Sequence, residues 1–102
     1  MRVMTQGRLL RFGQQHLDAL PALRVWLKVV KLARWMTPAE VKATFGSADP
    51  VGDRRLVFNI GGNKYRLIAE VDYPNGVLFV CFLGTHAEYD RVDARTVMET
   101  EG

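Results

Sequence analysis

At 102 residues and 48% hydrophobic content, the chain has enough apolar material for one core and too little for two, so a single domain over residues 1–102 with a shallow site is expected. One cysteine, Cys81, excludes an internal disulfide framework; no run approaches the roughly 18 apolar residues of a membrane span, and MRVMTQGRLLRF lacks a signal-peptide block, which points to the cytoplasm and away from membranes. The formal charge is +3, yet 12 basic and 6 acidic residues precede Thr85 while 2 basic and 5 acidic follow from it, so a basic body suited to a polyanion carries an acidic tail.

Arg2 to Met4 could form a short edge strand, with Thr5 placed to cap a following helix. Asp18 is a candidate cap for a second helix with Pro21 in its first turn, and Leu23, Trp26, Leu27 and Val30 recur at helical spacing on its core face. Arg24, Lys28 and Lys31 fall on the opposite face as a basic stripe, either a solvated surface or a contact for RNA or a protein partner. Thr37-Pro38-Ala39-Glu40 reads as a capping box that starts a third helix running to about Phe45. The stretch Gly46–Asp53, rich in Gly, Pro, Asp and Ser, reads as a loop.

From Arg54 the hydrophobic period changes to two, and LVFNI, YRLIAEV and VLFVCFL read as strands. The last two flank Pro74-Asn75-Gly76 and should form an antiparallel hairpin, and the nearly all-apolar third strand should be covered on both faces or lie inside the sheet. Thr85-His86-Ala87-Glu88 is a second capping box, which opens a short helix where that strand ends. The expected architecture is therefore α+β: N-terminal helices packed on a small, mainly antiparallel sheet, with a short C-terminal helix.

Alternation along YRLIAEV sets Lys64, Arg66 and Ile68 on one face, so two cations would project together, either into solvent or toward consecutive phosphates. His86 would open the last helix, where free N–H groups favour an anion, and Tyr89 lies one turn further on a similar side. The turn Gly61-Gly62-Asn63 delivers the chain to Lys64 but has no Lys-Ser or Lys-Thr ending, which argues against a P-loop. His16, His86 and Cys81 show no metal-ligand spacing, and Glu70, Asp72 and Asp90 form no recognisable motif.

The strings LVFNIGGNKYRLIAEV and GTHAEYDRV, with the helical prelude and TPAEVKATF, closely resemble the HigB toxins of the wider RelE/ParE superfamily. The resemblance implies a RelE-like fold and a messenger-RNA-cleaving endoribonuclease that acts on translating ribosomes with no metal or other cofactor. It also implies inhibition by a HigA-type helix-turn-helix antitoxin, with promoter DNA bound only through that partner. By the same motifs Arg66, His86 and Tyr89 are the expected catalytic positions; Lys64 and Asn63 beside them are expected RNA contacts, and the stripe Arg24, Lys28 and Lys31 is expected to meet ribosomal RNA or the antitoxin. Two alternatives share the fold: a non-catalytic, ParE-like poison of a topoisomerase, and a module that binds RNA or the ribosome without cutting.

Overall fold

The computed structural model describes residues 1–99, so Glu101 of the acidic tail lies outside the described residues. Strand β1 (Arg2–Met4) is followed by helices α1 (Gln6–Gln15), α2 (Leu20–Leu32) and α3 (Pro38–Thr44). Strands β2 (Asp49–Val51), β3 (Arg55–Ile60), β4 (Tyr65–Asp72) and β5 (Val77–Thr85) come next, and α4 (His86–Tyr89) is a single turn. The sheet order is β1-β5-β4-β3-β2, parallel between β1 and β5 and antiparallel elsewhere, which realises the expected α+β arrangement. As its composition requires, β5 lies inside the sheet with apolar packing on both faces.

Three local expectations are corrected. The segment expected as one loop contains β2, because Asp49–Val51 pairs with Arg55–Val57 and leaves only Gly52, Asp53 and Arg54 to turn, with Gly52 at φ 68°; Pro50 is tolerated because β2 is an edge strand. Thr5 precedes α1 but makes no side-chain cap; it sits at φ 66°, and its hydroxyl accepts from the Val80 N–H at 3.3 Å, which ties the β1–α1 corner to β5. Asp18 does not cap α2, whose N-cap is Ala19; the carboxylate is drawn instead to Tyr65 and Lys64. At the β4–β5 turn only Gly76 takes positive φ, while Asn75 bonds the Asp72 carboxylate through its backbone N–H (3.3 Å) and its side-chain amide (2.9 Å).

The two faces of the sheet carry separate apolar layers. Leu23, Trp26 and Val30 of α2 pack with Leu67, Ala69 and Val71 of β4, as the helical spacing requires, and both Trp26 and Leu67 are almost wholly buried. On the opposite face Val57, Ile68, Cys81 and Phe82 are covered by Tyr89, Val92, Ala94 and Val97 from the chain that follows β5. Arg55, only 8% exposed, holds that C-terminal segment down: its Nη1 donates to the carbonyls of Val97 (2.6 Å) and Ala94 (3.1 Å), and its Nε to Glu70 (3.4 Å). Arg8 of α1 bonds the Glu99 carbonyl at 2.8 Å and also pairs with its carboxylate, closing the strap at its other end.

Candidate active site

The site lies where β4 begins and β5 ends, on the face away from α2. Arg66, the second residue of β4, pairs with Asn59 of β3 on one side and Gly84 of β5 on the other. Gly84 is required by space rather than by φ: a Cβ there would stand 2.7 Å from the Phe82 ring and 3.0 Å from the Glu88 carboxylate. Immediately after it, Thr85 turns the chain into α4 with both halves of the capping box formed, Glu88 N–H to Thr85 Oγ1 at 3.2 Å and Thr85 N–H to the Glu88 carboxylate at 2.8 Å. The His86 N–H donates to the Lys64 carbonyl at 3.1 Å, which locks α4 against the Gly61–Lys64 turn. That turn uses positive φ at both glycines, 64° at Gly61 and 73° at Gly62, so the pair serves backbone geometry.

This framework brings the three expected catalytic side chains together. Arg66 Nη2 lies 3.1 Å from His86 Nε2, and the Arg66 guanidinium carbon sits 4.9 Å from the centre of the Tyr89 ring. The His86 and Tyr89 ring centres are 6.4 Å apart, and Tyr89 leans edge-on to Phe82 at the same distance. A guanidinium only donates, so its contact with Nε2 needs the ring's lone pair there. The other ring nitrogen, Nδ1, faces Asp90 Oδ2 at 3.5 Å. The sequence showed Asp90 only as a carboxylate without a motif; its signal as a neighbour of His86 was its place four residues later, which one helical turn folds back beside the ring.

Arg66 Nε is buried and has no hydrogen-bond partner among the described residues, so the guanidinium is held by position more than by bonds. The Tyr89 ring below it contributes about 0.5–2 kcal/mol, depending on how dry the contact is. What the arrangement offers chemically is a half-buried cation 3.1 Å from a histidine ring nitrogen, with an aromatic face alongside.

The remaining candidates lie elsewhere. Lys64 precedes the first paired residue of β4, and its ammonium bonds Asp18 at 3.2 Å instead of projecting beside Arg66. The same carboxylate accepts the Tyr65 hydroxyl at 2.6 Å; that bond first, and Lys64 second, hold Asp18 below the usual carboxylate range, and the Tyr65 phenol is raised in return. Asn63 is exposed in the adjoining turn. Arg24, Lys28 and Lys31 are exposed on α2, across the sheet from Arg66. The anion site expected at the start of α4 is also reduced, since the N–H groups of His86 and Glu88 are already engaged. Among the described residues no three His, Cys, Asp or Glu side chains gather as a metal-sized cluster, and no helix is long and apolar enough to cross a membrane.

Residues 19–92 match the family model described as HigB toxin, RelE-like toxic component of a toxin–antitoxin system. The chain belongs to this HigB toxin family. Similar proteins include "mRNA interferase HigB" of Escherichia coli O6:H1 strain CFT073, 36% identical over 77 residues that cover 74% of each chain. The "mRNA interferase toxin HigB" of Escherichia coli K12 is 38% identical over 78 residues, 74% of this chain and 72% of the relative. A Shigella flexneri "mRNA interferase HigB" matches to the same extent. The matched span of this HigB-family chain includes Arg66, His86 and Tyr89 together with the whole of α2.

Proposed function

We propose that this chain is a single-domain endoribonuclease that cuts messenger RNA on the ribosome, in the cytoplasm, without a metal. The observation that carries the reading is the 3.1 Å contact between Arg66 Nη2 and His86 Nε2 with Tyr89 alongside, in a chain whose relatives bear the interferase name. In such a reaction the substrate's own 2′-hydroxyl attacks the adjacent phosphorus. His86 Nε2 takes the hydroxyl proton, the bond from phosphorus to the 5′-oxygen breaks, the departing oxygen takes a proton from solvent and the protonated imidazole returns one to solvent, leaving a cyclic phosphate and a 5′-hydroxyl end. Arg66 meets the phosphoryl oxygens as their charge rises, exchanging its contact with the imidazole for one with substrate. Tyr89 gives a face on which a base stacks.

Asn63 and Lys64 border this site and are assigned to the RNA strand beside the cut, with Lys64 giving up Asp18 to reach it. The stripe Arg24, Lys28 and Lys31 is assigned to ribosomal RNA or to the antitoxin, a HigA-type helix-turn-helix protein through which the pair would bind promoter DNA. The topoisomerase-poisoning alternative finds no support in the names of the relatives, which are mRNA interferases. Mapping RNA 5′ ends after a brief pulse of expression tests the reading: new ends within translated frames support it, whereas intact transcripts with an induced DNA-damage response favour the alternative.

A further inference from the structure

At the far end of β4 from Arg66 the surface opens into a cleft of about 580 Å³ between the end of α2 and the β4–β5 turn. Three exposed cations, Arg2, Lys31 and Arg34, line it, and no carboxylate does. None of the three has an ion-pair partner among the described residues. Trp35, 4% exposed, belongs to the core beneath it, and half-buried Tyr73 and exposed Met36 supply apolar wall. Cations gathered in a concavity without counter-charge concentrate anions there. A second concavity, lined by Arg54, Arg55 and Arg95, differs in this respect, because Asp53 and Glu70 share it and Glu70 already pairs with Arg55.

We propose that the cleft of Arg2, Lys31 and Arg34 is a second RNA-binding site, which holds backbone phosphates of a strand and takes a base against Tyr73 and Met36. Its size exceeds what a lone phosphate fills and matches a nucleotide-sized ligand. Its combination of unpaired cations with an apolar wall is the one by which single-stranded nucleic acid is held without sequence preference. Tyr73 directly follows β4, seven residues from Arg66 and on the order of 20 Å away at 3.3 Å per strand residue, so the cleft is separate from the cutting site and anchors RNA at a distance from it. The choice of RNA as the anion rests on the ribonuclease reading, but the binding itself does not depend on cleavage.

The test is fluorescence anisotropy with a labelled 2′-O-methyl RNA octanucleotide, which cannot be cut, titrated against the full chain at several salt concentrations. The triple variant Arg2→Gln, Lys31→Gln, Arg34→Gln should bind at least about tenfold more weakly, and its slope of log affinity on log salt should fall by about 2, the value for three phosphate contacts on a single strand. The pair Arg54→Gln, Arg95→Gln should leave both quantities near the wild type, and circular dichroism melts check that each variant is folded. Wild-type affinity and slope in the triple variant would overturn the site. So would an equal loss per charge in the Arg54 and Arg95 pair, or displacement of the octanucleotide by ATP at equal concentration, which would make a free nucleotide the ligand. Two separate readouts in an Arg66→Ala background distinguish the two ideas: loss of messenger-RNA cleavage by Arg66→Ala concerns the reaction, and loss of octanucleotide binding on adding the triple change concerns the cleft.

Discussion

Arg66 Nη2 and His86 Nε2 meet at 3.1 Å although twenty residues separate them in the chain, joined by the pairing of β4 with β5 and by the single turn of α4. Under the proposed function, this contact brings the cation assigned to the phosphate and the group assigned to proton transfer to one place. Arg66→Ala should lower the cleavage rate by about 10²–10³-fold, the cost of one preorganised donor at a centre of developing charge, with the thermal melt retained. Arg66→Lys should restore only part of the rate, because an ammonium lacks the bidentate fork. Single-turnover cleavage of mRNA on programmed ribosomes checks both.

His86→Gln keeps a polar side chain but no titrating nitrogen, and the rate should fall by about 10²–10⁴-fold. Asp90→Asn should cause a smaller loss, since the carboxylate facing Nδ1 at 3.5 Å positions the ring without touching substrate. If the two variants fell equally in the ribosome assay, Asp90 would have to act on substrate directly.

Gly84→Val should damage the site without touching a reacting group. A Cβ at this position already stands 2.7 Å from the Phe82 ring and 3.0 Å from Glu88, so a branched side chain displaces the capping box that opens α4. The expected result is a folded protein with poor cleavage and new backbone NMR shifts at residues 85–89.

The strap that covers the second apolar layer depends on Arg55. Arg55→Met leaves the carbonyls of Ala94 and Val97 without their donor and should cost about 2 kcal/mol, or roughly 10 °C in Tm. A melt of this variant within 2 °C of the wild type, by the same size scaling, would show that the strap is held by apolar packing alone.

Asp18 gives a pH signature. Its pKa is depressed in the folded protein by the Tyr65 hydroxyl first and by Lys64 second, so its contribution is present above its unfolded value and is lost as pH falls through the folded one. In Asp18→Asn the stability lost on acidification below about pH 4 should be smaller than in the wild type, while the two should differ little in slope between pH 6 and 8. Urea melts at pH 3, 4 and 7 test this.

Elements with strong local signals were legible from the sequence. The capping boxes at Thr37 and Thr85 and the period-two strands are set by neighbouring residues and appear where expected. Side chains whose partners lie far along the chain were not. Asp18 has the chemistry of a helix cap, but Tyr65, 47 residues away, takes its carboxylate; Lys64 alternates with Arg66 on paper, but pairing begins one residue later and Asp18 draws it off. β2 was hidden because Asp-Pro-Val has turn composition and gains its strand form from β3. The strap of Val92, Ala94 and Val97 has no helical or strand period, and its role follows from the layer it covers. Arg66, His86 and Tyr89, which the fold brings together, lie in two short motifs; Asp90 lies in one as well, but its proximity to His86 required the turn of α4 to be seen.

Arg66 and His86 are proposed to cut RNA together. The most direct measurement maps 5′ ends of cellular RNA after a short pulse of wild-type protein, with Arg66→Ala and His86→Gln expressed to the same level. New 5′-hydroxyl ends inside translated frames with the wild type, absent with both variants, is the expected result. The same ends at undiminished frequency with either variant would contradict the assignment.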